Sequence, residues 1–123
     1  MPGIRLFAGI NAQADPNNMT ELEGKHIPSI DAPQTVAKNQ CFKVQIEVGR
    51  TIAHPNQPDH FIEYLDLYAD DTYLARISLT AMVVRPKAVF WVTLGRETIT
   101  ELRALARCNR HGTWLGVRPI IVR

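Results

Sequence analysis

The sequence predicts an all-β fold, an antiparallel β-sandwich, and three observations carry that reading. The stretch "CFKVQIEVG" at 41–49 alternates Phe42, Val44, Ile46 and Val48 with Lys43, Gln45 and Glu47, the period of two that gives a strand one dry face. Further runs, "FIEYLDLYA", "YLARISLTAMVV" and "AVFWVTLG", are rich in β-branched and aromatic residues and are bounded by the turn-forming clusters "HPNQPDH", "ADD", "RPK" and "GRE". Several short strands with turn signals between them build a sandwich. At 123 residues the chain is one domain, long enough to bury about two thirds of its unfolded surface, so a metal or a thiol is expected to serve function rather than folding.

Taken in order, residues 1–33 are rich in Asn, Asp, Pro and Gly, close with "DAPQ", and follow neither the helical nor the strand period. They are expected to form an irregular N-terminal arm lying on the folded body, with the sandwich over 34–123. The first strand starts at Cys41, which is expected as a small buried side chain. Trp91, inside "AVFWVTLG", is expected to pack in the core. The segment "TITELRALARC" at 98–108 reads two ways. It is either a short Thr-capped helix or a strand with Leu102, Ala104, Ala106 and Cys108 inward, opposite Glu101, Arg103 and Arg107. The strand fits its neighbours better. There is no internal repeat and no low-complexity segment.

Composition removes several function classes. Two cysteines, Cys41 and Cys108, cannot make a disulfide framework, and "MPGIRLFAGINAQADPNN" lacks the basic region and long apolar run of a secretory signal, so a cytoplasmic location is expected. No stretch approaches the roughly 20 apolar residues of a membrane helix, so no membrane partner is expected. A net charge of +2, with Lys and Arg scattered, leaves no electrostatic footprint for nucleic acid.

Chemistry concentrates in the histidines. The four are His26 after Lys25, His54 and His60 at the two ends of "HPNQPDH", and His111 in "CNRHGTW". All occupy loops or strand ends, where a rigid sandwich can present side chains to a common point. A histidine alone in a loop is usually a surface residue. Pro55 and Pro58, however, stiffen the loop between two of them, as a preorganised ligand set requires. A Cys-x-x-His step lets a thiolate and an imidazole reach one ion from a single tight turn. As a nucleophile Cys108 would need an adjacent base and an orienting Asn or Asp, and its surroundings resemble no thiol protease. Zinc competes more strongly, yet four nitrogens and one sulfur exceed what a structural zinc site takes. Covalent haem needs a Cys-x-x-Cys-His that is missing here.

Three blocks then carry a resemblance: "GKHIP" at 24–28, "HPNQPDHFIEYLDLY" at 54–68 and "CNRHGTW" at 108–114. In order and spacing they resemble the ligand blocks of the superoxide reductases, the desulfoferrodoxin and neelaredoxin family, over about Lys25 to Trp114. The resemblance implies a seven-stranded immunoglobulin-like sandwich, with the arm carrying one ligand loop. It also implies a mononuclear non-haem iron held by His26, His54, His60 and His111 with Cys108 as axial thiolate, which would employ every histidine in the chain. Soft thiolate and imidazole donors suit iron, and five protein ligands leave one position open to a small anion. The implied activity is one-electron reduction of superoxide to hydrogen peroxide, with a rubredoxin-like electron donor to restore the iron. Lys25, beside the first ligand, would attract the anion.

One position departs from the family pattern. Gly24 stands where most members have a glutamate that can bind ferric iron, which leaves Glu23, one residue earlier, as the candidate. No four-cysteine block precedes Cys41, so the one-iron type is expected, often a homotetramer, with "LGVRPIIV" offering an edge or interface strand. Trp114 either packs beside the thiolate and limits water or simply fills the core. Two other classes compete: a non-catalytic immunoglobulin-like metal-binding module, and an electron-transfer module with closed coordination. Iron content separates the first and an anion-accessible site the second.

Overall fold

The chain's strands pair into two sheets because its apolar residues recur at every second position, and each sheet has one face to hide. The computed structural model describes residues 9–123. One sheet has the order β1-β3-β6, from β1 (Ser29–Asp31), β3 (Cys41–Glu47) and β6 (Lys87–Thr93), all antiparallel. The other has the order β5-β4-β7-β8, from β4 (Ile62–Ala69), β5 (Thr72–Ser78), β7 (Glu101–Cys108) and β8 (Gly112–Pro119), again antiparallel. A two-residue parallel pair, β2 (Thr35–Val36) with β9 (Ile121–Val122), ties the C-terminal end to the segment ahead of β3.

Val44 and Ile46 of one sheet and Leu65, Leu67, Leu102 and Ala104 of the other are fully buried in a single core. Each large aliphatic side chain so buried contributes about 1.5–3 kcal/mol. The ambiguous segment is a strand: Leu102, Ala104, Ala106 and Cys108 all lie inside, as the alternation predicts.

Several expectations are corrected. Nine strands are present among the described residues against the seven expected: seven make up the two sheets, and the separate β2–β9 pair adds two. β1, β2 and β9 are pairings of two or three residues, too short to carry a period. Of the arm expected over 1–33, residues 1–8 lie outside the described residues, and the remainder is not irregular throughout. It holds a helix, α1 (Glu21–His26), and the strand β1. Cys41 is exposed and Trp91 is 70% exposed, because both sit on the outward phase of their strands. Phe42, Val44 and Ile46 point in from β3, and Ala88 and Val92 point in from β6. The apolar run "YLARISLTAMVV" does not stay a strand: β5 ends at Ser78, and residues 79–86 cross to the other sheet.

Two features place the functional end. β4 carries a bulge between Ile62 and Tyr64, where it leaves the His54–His60 loop, and Ile62 pairs with Cys108. Gly116 lets the arm lie against β8, since a Cβ there would collide with the carbonyl oxygen of Pro28.

Candidate metal centre

α1 exists because its first turn is closed by its own side chains. The Thr20 hydroxyl accepts from the Glu23 amide (3.1 Å) and the Glu23 carboxylate accepts from the Thr20 amide (2.9 Å), a reciprocal capping box. The second Glu23 oxygen accepts from the Ala14 amide (2.9 Å), which fastens the arm to the helix. The two amides that donate to it, Thr20 first and then Ala14, hold the Glu23 carboxyl below its usual range. Glu23 is therefore a capping residue in this structure, and its oxygens are turned to backbone rather than free to reach a metal.

His26 ends the helix. Its Nδ1–H donates to the Leu22 carbonyl one turn back (2.7 Å), which leaves Nε2 with a bare lone pair. His54 is set the same way, Nδ1–H donating to the Pro55 carbonyl (2.6 Å) while Nε2 lies 3.3 Å from Cys108 Sγ. His60 closes a tight turn with Gln57 through two backbone hydrogen bonds of 2.9 and 3.1 Å. Cys108 and His111 flank the β7–β8 turn, which Gly112 closes at φ +83°, a left-handed conformation natural to glycine. Across that turn Cys108 Sγ and His111 Nδ1 are 3.7 Å apart.

Together the four imidazoles form a ring. His26 to His54, His54 to His60, His60 to His111 and His111 to His26 meet edge to face, with centroids 4.7, 4.8, 5.0 and 5.0 Å apart. His26 and His60 therefore stand across the ring from each other, as do His54 and His111. The ligand atoms of His26, His60, Cys108 and His111 all lie within 4.8 Å of one another. His26, His54 and Cys108 are buried, His60 is half-buried and His111 is exposed, so the ring opens to solvent on the His111 side.

The electrostatics match a cation site. Burial pushes His54 down to about 4, and its three neighbouring imidazoles push in the same direction. Burial likewise lowers His26 and His60, and Lys25 adds to both. Neutral imidazole is the metal-binding form. The Nε2 atoms of His26 and His60 are buried without any hydrogen-bond partner among the described residues, a state that costs about 1–3 kcal/mol per group unless something satisfies it. Five donors, four nitrogens and a sulfur, with one open side fit iron better than the closed four-ligand set of structural zinc.

Sequence reasoning gave no role to three residues here. Asn109 clamps the two ligand loops together: its side chain donates to the Asp59 carbonyl (2.9 Å) and accepts from the Phe61 amide (3.0 Å). It stood inside the quoted "CNRHGTW", but nothing along the chain announces its partners. Asn11 bonds the Thr113 carbonyl through both backbone (3.0 Å) and side chain (3.2 Å). Asn56 ties the His54 loop to residues 82–84. Trp114 stacks on His26 (4.8 Å, 22°) and donates from Nε1 to the His111 carbonyl (3.0 Å). Lys25 is one-third exposed and pairs with Glu21 at 3.3 Å.

Comparison with known proteins agrees with this arrangement. The family profile described as desulfoferrodoxin matches residues 18–117. A Methanocaldococcus jannaschii protein is 37% identical over 118 residues, covering 94% of this chain and 97% of that one. The superoxide reductase of Pyrococcus abyssi is 32% identical over 99 residues, covering 73% and 82%. Among solved structures, the superoxide reductase (neelaredoxin) of Ignicoccus hospitalis superposes with a TM-score of 0.70 at 30% identity, covering 80% of this chain and 81% of its own.

Proposed function

The chain belongs to the desulfoferrodoxin family, and from that membership we propose that it is a superoxide reductase whose His26, His54, His60, His111 and Cys108 hold a mononuclear iron. The observation that carries the assignment is the ring of four imidazoles beside a buried thiol, with two buried Nε2 atoms that no described protein group satisfies. Bound there, the iron supplies one electron to superoxide, which leaves with two protons as hydrogen peroxide.

The chain's own residues set the conditions for that chemistry. The Leu22 and Pro55 carbonyls fix the tautomers of His26 and His54, so Nε2 is the donor atom in each. Cys108, at zero exposure, would offer a bound iron a soft sulfur donor in a low-dielectric setting, supplying electron density to it. Trp114 covers one face of His26 and keeps water from it, while exposed His111 leaves the approach open. Lys25, whose charge is felt at both His26 and His60, draws the superoxide anion to that opening. Glu23 stands outside the ligand set, because both its oxygens are taken by backbone amides.

The same reading includes a rubredoxin-like one-electron donor, assembly as a homotetramer and a cytoplasmic setting. Among the described residues no helix is long and apolar enough to cross a membrane. Pulse-generated superoxide with iron-loaded protein tests the proposal. One hydrogen peroxide should appear for each superoxide consumed, against one for every two in dismutation. Superoxide decay at the spontaneous rate, with iron bound, rejects it.

A further inference from the structure

Resting on that reading, each superoxide reduced takes one electron from the site, and the described residues hold no second cluster of metal-ligating side chains to replace it. The electron must come from another molecule. We propose that the face formed by Met82, Val83, Arg85 and Lys87 is the docking surface for an acidic one-electron carrier protein, which delivers its electron by way of His54.

The loop over residues 79–86 exposes three consecutive apolar side chains: Met82 at 59%, Val83 at 79% and Val84 at 39%. Met82 has φ +68°, a left-handed conformation that a residue with a Cβ adopts only when its surroundings impose it. Asn56 imposes it here, accepting from the Met82 amide (2.7 Å) and donating to the Val84 carbonyl (3.3 Å). Asn56 lies two residues from His54, so the apolar loop is fastened to the ligand loop. Contiguous exposed apolar side chains held in a fixed shape mark a contact surface.

An open groove of about 560 Å3 runs beside this loop, and His54, Asn56, Met82, Val83, Arg85 and Lys87 line it. His54 reaches from the groove to 3.3 Å from Cys108 Sγ. A carrier seated there is one imidazole away from the ligand cluster. Arg85 and Lys87 are exposed and have no ion-pair partner among the described residues. The one carboxylate in the groove, Glu47, is already bonded to Arg50 at 3.3 Å. An apolar patch with a cationic rim complements an acidic partner. A second copy of the chain fits poorly, since a two-fold contact brings Arg85 and Lys87 against their own like charges. His54 stands across the ring from His111, so carrier and superoxide approach from different sides. The transfer is a single electron: the carrier is oxidised by one, the site is reduced by one, and no bond or proton changes place.

The test is stopped-flow re-reduction of the superoxide-oxidised, iron-loaded protein, with reduced rubredoxin as the acidic carrier and ascorbate as a small reductant for comparison. Val83→Asp and the double variant Arg85→Glu/Lys87→Glu should each lower the rubredoxin rate constant about tenfold or more, and the double variant should lose its decline with added salt. The superoxide and ascorbate steps should keep their unaltered rates. In 15N spectra of the unaltered protein, the Met82, Val83 and Val84 amides should shift on adding rubredoxin. Unchanged rubredoxin rates in both variants overturn the proposal. So does a changed sedimentation coefficient in Val83→Asp with the rubredoxin rate intact, which assigns the face to a second copy. If the unaltered iron protein does not react with superoxide, the reductase reading falls, and the amide shifts alone then decide the docking surface.

Discussion

Cys108 combines zero exposure with a neighbour on each side, His54 Nε2 at 3.3 Å and His111 Nδ1 at 3.7 Å, so its sulfur has no role on the surface and every opportunity to bind a shared cation. Cys108→Ala or His54→Ala removes one of the five donors proposed to hold the iron, so each should weaken iron binding by more than the roughly 10–100-fold typical of losing an outer-shell partner. Iron content per chain and the thiolate-to-iron absorption band measure this, and full iron with an intact band in either variant refutes the ligand assignment. The role proposed for Lys25 is at longer range. Lys25→Ala should slow the second-order reaction with superoxide on the order of tenfold at low salt and flatten its salt dependence, with Lys25→Arg restoring both. An ionic-strength profile unchanged by Lys25→Ala would leave this lysine only its ion pair with Glu21.

At the scale of the element, α1 is too short to stand alone. With six residues it lies well below the length at which isolated helices persist, so its position depends on the capping box and on the tie from Glu23 to Ala14. Thr20→Ala should cost about 1 kcal/mol in a denaturant titration, the usual loss for a Thr cap. Glu23→Ala, which strips acceptors from two amides, should lower the unfolding midpoint as well and reduce iron occupancy, because His26 is the last residue of the same helix. Iron occupancy unaffected by Glu23→Ala would separate the cap from the site. The β7–β8 turn plays the equivalent part for Cys108 and His111. Its shape rests on Gly112 and on Asn109, which links it to the His60 loop.

The whole molecule brings four imidazoles together in a partly buried ring, and that has a consequence for stability without metal. His26, His54 and His60 are all held below the ordinary histidine value of 6.5, His54 at about 4, so the unfolded chain binds more protons than the folded one. Metal-free protein should therefore keep its full stability above about pH 6.5 and lose it progressively as pH falls from there toward 4. The Glu23 carboxyl, also lowered, adds a loss in the same direction at the acid end. Thermal midpoints of the apo protein across this range check the sign. A flat profile means that the imidazoles are not desolvated together.

The strand pattern was local and the sequence alone determined it: "CFKVQIEVG" alternates strictly and "ELRALARC" alternates except at Leu105, which is itself buried, and period two gives each strand one main buried face. The five candidate donors were legible through the resemblance that the three blocks carry in their order and spacing, two of the blocks adding turn residues in Pro55, Pro58 and Gly112. Uniformly apolar "AVFWVTLG" hid its phase, so the exposure of Trp91 depended on which neighbour β6 paired with. Likewise Asn109, Asn11 and Asn56 act through carbonyls and amides 26 to 102 residues away, partners that only chain folding brings near. Sequence sets what a segment can bury. Tertiary structure decided which loop Asn56 holds and how the four imidazoles follow one another round the ring. Those outcomes depend on side chains from separate elements meeting at hydrogen-bond distance, a condition no local pattern encodes.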